Sequence, residues 1–160
     1  MSNVRPLKMQ HRIAAGVLVE DEEGRFLLVR HQKAGAYDFW VAPGGGAEGS
    51  EDLRDTARRE ALEECGLHVE PLQLAYIEEF TSPHCRECKI WFIGRVTGGT
   101  LNASHPEASR EHITEAAWLH RREFEGKVVF PPMLHLEYWQ DKHNGFALPR
   151  YVGLRAMEFH

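Results

Sequence analysis

The chain reads as an α+β protein, a mixed β-sheet held between helices. Three observations predict this. The elements follow the order strand, strand, strand, helix, strands, helix. Short apolar runs, rich in branched and aromatic residues, are bounded by turn residues as strands are. A glycine run, Gly44-Gly45-Gly46, then gives way to an acidic amphipathic stretch with helix start and stop signals. At 160 residues the chain can bury one sizeable core, so a single domain over residues 1–160 is expected.

Arg12 to Val19 predicts a buried strand and Arg25 to Arg30 a second. Asp21-Glu22-Glu23-Gly24 between them is a turn sequence, so the pair suggests a hairpin. Tyr37 to Ala42 predicts a short aromatic strand, stopped by Pro43 and the glycines. Ser50 is a suitable N-cap, and Glu51 and Asp52 suit the positive end of a helix. That helix is expected over about residues 51–64, with Gly66 as its left-handed stop. Leu53, Ala57 and Ala61 form its apolar stripe. Leu72 to Thr81 and Lys89 to Thr97 predict strands around Ser82-Pro83-His84-Cys85, the second ended by Gly98-Gly99. Glu115 to Leu119 predicts a short strand carrying Trp118. Pro131-Pro132 opens a helix to about His143, closed by Asn144-Gly145.

Several classes are disfavoured by composition. Net charge is −5 and no basic cluster offers a nucleic-acid surface. No apolar run reaches membrane-spanning length, and Met1 to Gln10 lacks the apolar core of a secretory signal. Three cysteines give no disulfide framework, which fits a cytoplasmic location. Phe130 to His160 is aromatic enough to cover the core or a partner, which leaves a homodimer open.

The chemistry concentrates in one helix. Glu60, Glu63 and Glu64 stand at i, i+3 and i+4. At about 100° per residue, Glu63 and Glu64 fall about −60° and +40° from Glu60, so all three share one face. Like charges at this spacing destabilise an isolated helix slightly. A hard divalent cation such as Mg²⁺ reverses that penalty by taking carboxylate oxygens as ligands.

The stretch from Gly45 to Leu67 resembles the signature of the Nudix hydrolase family. That signature is Gly, five residues, Glu, seven residues, then Arg-Glu-apolar-any-Glu-Glu-any-Gly-apolar. Gly45, Glu51, Arg59, Glu60, Ala61, Glu63, Glu64, Gly66 and Leu67 fill it, with Ala61 smaller than the usual apolar residue. Trp40 to Gly45 also looks like the family's approach to this box, and the resemblance plausibly covers residues 10–125. It implies an α/β/α sandwich with the box as loop–helix–loop. It also implies hydrolysis of a nucleoside diphosphate linked to another group, with Mg²⁺ or Mn²⁺ as cofactor. Glu60, Glu63 and Glu64 would be the metal ligands, assisted by a backbone carbonyl near Gly44, and Glu63 and Glu64 would be catalytic. The glycines let backbone approach metal and phosphates without a Cβ in the way. Glu51 and Arg59 are expected to orient the box through an ion pair rather than touch substrate.

A general base often comes from outside the box in this family. Glu111 is the leading candidate, with Glu107, His112 and Glu115 as rivals and a box glutamate as a further option. The expected partner is a small nucleotide. Pro83 follows Leu67 by 16 positions, which resembles the ADP-ribose pyrophosphatase subgroup and puts ADP-ribose or an ADP-sugar first. Nucleoside triphosphates are the alternative. A non-catalytic nucleotide-binding module is another, although it would be expected to have damaged metal ligands. An isomerase on the same fold is disfavoured, because no additional cysteine-and-glutamate constellation is evident. Tyr37, Phe39, Tyr76 and Phe80 are candidate platforms for a base, and Arg30 is a candidate phosphate partner. His84, Cys85 and Cys88 have zinc-like spacing, but a closed site takes four ligands and no second pair is visible.

Overall fold

The computed structural model describes residues 8–157 and residue 159. In chain order the strands and helices are β1 (Gln10–Val19), β2 (Arg25–Lys33), β3 (Tyr37–Val41), β4 (Gly44–Gly46), α1 (Leu53–Cys65), β5 (Leu67–Thr81), β6 (Cys85–Gly99), α2 (Pro106–Arg110), β7 (Ile113–His120), β8 (Val129–Phe130), α3 (Glu137–His143) and β9 (Arg150–Ala156). The expected α+β sandwich is present, with its strands divided between two mixed sheets. One has the order β4-β1-β6-β5-β9 and the other β7-β2-β3-β8. In the first, β1 runs parallel to β6 and β5 parallel to β9.

The expected β1–β2 hairpin does not form. Its turn is real, since Asp21 accepts from the amides of Glu23 and Arg25. The strands leaving it join different sheets, with a bridge between Glu20 and Phe26 and the Asp21 amide donating to the Arg25 carbonyl beside the turn. Burial explains the separation. Ala14 to Val19 are buried in succession, so β1 packs on both faces. Val17 and Val19 join one core with Leu27 and Val29 of β2 and Ala57, Ala61 and Cys65 of α1. Leu18 joins a second core with Phe26, Leu28, Trp40, Trp91 and Tyr138. A strand with two apolar faces needs a layer on each side, which a simple hairpin cannot supply.

Other boundaries shift for local reasons. The N-cap of α1 is Asp52, whose side chain accepts from the Asp55 amide, rather than Ser50. Gly49, at φ +56°, turns the chain before the helix, and Glu51 is drawn aside to Arg59. Gly66 closes the helix at φ +75°, its N–H donating to the Leu62 carbonyl, as expected. Strand β5 starts at Leu67, not Leu72, and absorbs Pro71 through a register shift before Leu74. Strand β6 starts at Cys85 rather than Lys89. The helix expected from Pro132 is broken. A tight turn over Pro132–His135 is separated from α3 by Leu136, whose φ of −142° is not helical. Strands β4, β8 and β9 and helix α2 were not anticipated, the glycines of β4 having read as a strand stop. No described helix is long and apolar enough to cross a membrane.

Candidate active site

Helix α1 carries two of its glutamates into the interior. Glu60 is 5% exposed and Glu64 1% exposed. Each contributes a carboxylate oxygen to a cluster with Glu111, in which these oxygens all lie within 4.8 Å of one another. Glu63 is not part of this cluster. The helical wheel explains why: Glu63 lies four residues after Arg59, about 40° from it, whereas Glu64 turns away on the other side of Glu60. Arg59 accordingly donates to Glu63 at 3.1 Å.

Arg59 ties the box together. Its Nε and second terminal nitrogen donate to both Glu51 oxygens, at 3.1 and 2.7 Å. The same nitrogen donates to the Gly46 carbonyl at 2.9 Å, and the other terminal nitrogen to Glu60 at 2.8 Å. These Arg59 hydrogen bonds push the Glu51 carboxyl down from 4.5 to about 2, helped by the Glu48 amide and the Thr56 hydroxyl. The expected orienting pair is thus observed, and it reaches from the glycine strand to a cluster carboxylate.

The glycines of β4 admit the carboxylates. A Cβ on Gly45 would lie 2.6 Å from the Glu60 carboxyl carbon, and one on Gly44 2.7 Å from the Ala15 carbonyl oxygen. The Gly44 amide donates to Glu64 Oε1 at 3.0 Å. Burial, then the charges of Glu60 and Glu111, raise the Glu64 carboxyl well above its ordinary range. Glu60 Oε2 is buried without a hydrogen-bond partner. A buried carboxylate oxygen with nothing to accept from, beside two more hard oxygen donors, fits a divalent cation such as Mg²⁺ or Mn²⁺.

Glu111 reaches the cluster from the other sheet. It caps the short α2 and is followed by His112 in the left-handed region, at φ +58°. Strand β2 holds this bend. The Gln32 amide donates to the His112 carbonyl at 2.9 Å, and His31 Nδ1 lies 3.1 Å from the Glu111 carbonyl oxygen. Burial pushes His31 down to about 4, so the neutral ring donates from Nδ1 to that carbonyl. The Glu111 residue is solvent-exposed as a whole, yet its carboxyl end is desolvated toward the cluster. That desolvation, then the charges of Glu60 and Glu63, pushes it up to about 7. Of the rival bases, Glu107 pairs with Arg110 and Glu115 lies 3.6 Å from Arg30. Neither they nor His112 joins the cluster.

A cavity of about 330 Å³ opens beside the carboxylates, with Gly44, Gly45 and Glu111 in its lining. Aromatic rings line it too. Phe39 stacks on His31 at 5.0 Å and on Phe159 at 5.1 Å, both nearly parallel, and Phe130 meets Phe39 edge-on. At the floor, buried Glu78 accepts from Trp91 Nε1 at 2.7 Å. The Arg155 guanidinium lies over Phe80 and Phe130, at 4.4 and 4.9 Å.

Among the proposed substrate contacts, Phe39 and Phe80 line this cavity. Tyr37 flanks Phe39 at 5.5 Å without lining it. Tyr76 belongs to the second core and donates to Asp141 at 2.6 Å. Arg30 faces away: it grips Asp38 at 2.9 and 2.7 Å and lines a separate hollow with Trp40. Neighbouring strand residues point to opposite faces, so Arg30 leaves the site to His31. His31, Glu78, Lys89, Phe130 and Arg155 line the cavity and were missed. For His31 the signal was the alternation beside Arg30, and for Phe130 and Arg155 it was two unread strands. Pro83 sits in the turn where the Ser82 amide donates to the Cys85 carbonyl, and it does not line the cavity. Among the described residues His84, Cys85 and Cys88 gather no metal-ligand cluster.

The sandwich and its glycine-flanked acidic helix are those of a NUDIX domain. The model of that family matches residues 10–138, and the chain belongs to it. One relative is the 8-oxo-dGDP phosphatase NUDT18 of Homo sapiens, 30% identical over 152 residues, covering 91% of this chain and 46% of the relative. The Mus musculus protein of the same name is 29% identical over 82% of this chain and 40% of its own length. The chain therefore spans about half the length of these curated relatives. The fold also matches a NUDIX hydrolase structure from Nitrosomonas europaea, with TM-score 0.70 and 23% identity over 88% of this chain and 93% of that one.

Proposed function

We propose that this protein hydrolyses a phosphoanhydride bond in a nucleoside diphosphate derivative, using Mg²⁺ or Mn²⁺. The observation that carries this is the Glu60–Glu64–Glu111 cluster, with its orphaned buried oxygen, at the mouth of an aromatic cavity. Glu60 and Glu64 would hold the cation, with Glu63 and a backbone carbonyl near Gly44 as additional candidates. When bound, the cation would neutralise and polarise the diphosphate and acidify water. Glu111 would accept the proton of the attacking water, a reading supported by its carboxyl being pushed up to about 7, which suits a base at neutral pH. The water oxygen forms a new bond to phosphorus, the bridging P–O bond breaks, and the leaving phosphate takes the bridging oxygen. The nucleobase would sit among the rings of Phe39, Phe80 and Phe130 that line the cavity.

Two substrate readings follow from different observations. The curated relatives' name favours an oxidised guanine nucleoside diphosphate, 8-oxo-dGDP. ADP-ribose is the second, from the sequence around Pro83, but that proline stands in a turn off the cavity. The test is a panel of 8-oxo-dGDP, GDP, ADP-ribose and nucleoside triphosphates with Mg²⁺ and Mn²⁺, products separated by chromatography. A diphosphate compound should have at least about a tenfold higher kcat/KM than any triphosphate. Triphosphates preferred throughout would transfer the reading to a triphosphate pyrophosphohydrolase. Binding without turnover on every member would leave a nucleotide-binding module instead.

A further inference from the structure

We infer that Lys89 is the residue that grips the substrate's diphosphate, its ammonium donating to non-bridging phosphate oxygens between the carboxylate cluster and the aromatic wall. The inference rests on the nucleotide-hydrolase reading.

Lys89 lies on β6, opposite Glu78 of β5 and Ala14 of β1. It is 8% exposed, yet it lines the cavity. Its stem runs along the glycine strand, where a Cβ on Gly44 would come 3.0 Å from Lys89 Cε. Its ammonium sits 4.3 Å from the centre of the Trp91 ring. A buried lysine ordinarily demands an acid partner, because a desolvated charge is costly. Lys89 has none among the described residues. Of the acids that feel its charge, Glu64 accepts from the Gly44 amide, Glu78 accepts from Trp91 and Glu111 belongs to the carboxylate cluster; none forms an ion pair with Lys89 among the described residues. The Trp91 ring compensates only part of the desolvation.

The Lys89 side chain lines the same cavity as Glu111 of the carboxylate cluster and the rings of Phe39, Phe80 and Phe130. A nucleoside diphosphate with its base among these rings and its phosphates at the carboxylate cluster would carry those phosphates past Lys89. The ligand that completes Lys89 is therefore an anion delivered with the substrate. A lysine acts on it as a mobile point charge, which suits phosphate oxygens that shift as the bond breaks.

The test is calorimetric binding of α,β-methylene GDP and α,β-methylene ADP, whose bridges resist hydrolysis, to the full chain with Mn²⁺. Lys89→Met should weaken the better-bound analogue by at least about tenfold. Lys89→Arg should recover part of the loss. Mn²⁺ alone should bind Lys89→Met as tightly as the unaltered protein or more tightly, because a positive charge beside the carboxylates is gone. That last readout separates phosphate binding from a structural role, in which metal and nucleotide affinity would fall together. Lys89→Gln serves if the methionine variant does not fold. Analogue affinity within twofold in these variants would overturn the inference alone. So would parallel loss of Mn²⁺ binding. Lys89-dependent analogue binding without hydrolysis of any substrate would uphold it while the hydrolase reading fell. No analogue binding to the unaltered protein would remove both.

Discussion

Glu64→Gln should make the metal-free protein more stable while disabling it. Glu64 is 1% exposed, lies beside Glu60 and Glu111, and has no ion-pair partner among the described residues. Its one hydrogen bond comes from the Gly44 amide at 3.0 Å. A glutamine keeps the shape, and its amide oxygen can still accept that N–H. What it removes is a buried charge held near two like charges, whose repulsion outweighs the attraction of Lys89. Leaving a buried group so poorly compensated costs about 1–3 kcal/mol, and the variant should gain about that much. For a chain of this size that raises the unfolding midpoint by about 2–4 °C per kcal/mol. The sign follows from linkage. The folded carboxyl titrates above its ordinary 4.5, so its contribution is fully present below that pH and is lost as pH rises. The two proteins should therefore match near pH 4 and separate toward pH 8. Urea unfolding with a chelator at pH 4, 6 and 8 measures the gap. Saturating Mn²⁺ should reverse the order, because only the unaltered protein gains full binding energy. Turnover should fall by roughly a thousandfold or more. A variant less stable at pH 8 in chelator, or a gap independent of pH, would refute the account of Glu64 as a charge kept for a cation.

Glu51→Gln should do the opposite to stability. Its carboxyl is depressed to about 2 by Arg59, so its contribution is present above 4.5 and lost as pH falls toward 2. The full depression corresponds to about 3 kcal/mol at roughly 1.4 kcal/mol per pH unit. With the side chain 19% open to water, about 1–2 kcal/mol at pH 7 is the expected loss, shrinking to nothing in acid; a constant loss would point to packing alone. Glu111→Gln should lower kcat by about a hundredfold to ten-thousandfold with a much smaller change in KM, and its acidic pH limb should weaken; unchanged turnover and profile would remove Glu111 as base.

Much of the site was legible because it is local. The spacing of Glu60 and Glu64, the pairing of Arg59 with Glu51 and the stop at Gly66 all lie within one helix and its flanks. Glu63 lies on the same helix face, but its wheel position also brings it to Arg59, a competition that spacing alone does not display. The N-cap was misplaced by two residues because Ser50 and Asp52 are both competent caps, and only the left-handed Gly49 decides between them. Glu111 was legible as a candidate, but its selection depends on β2 gripping the α2–β7 bend, a contact across 80 residues of chain. The β1–β2 separation was not legible, since the turn sequence suits a hairpin and the true partners of β1 lie in β4 and β6. Strand β9 was hidden by its interruption at Gly153, which sits at φ +93° and breaks the alternation. With β9 unread, Arg155 had no position.

Strand β9 lies beyond residue 138, where the match to the family ends, yet Arg155 of that strand and Met157 just after it form part of the cavity. The clustered carboxylates belong to α1 and to the bend before β7. Substitutions along β9 can therefore reshape the cavity while the carboxylate cluster stays unaltered. Selection, natural or in the laboratory, is free to exchange this wall as a separate inheritance.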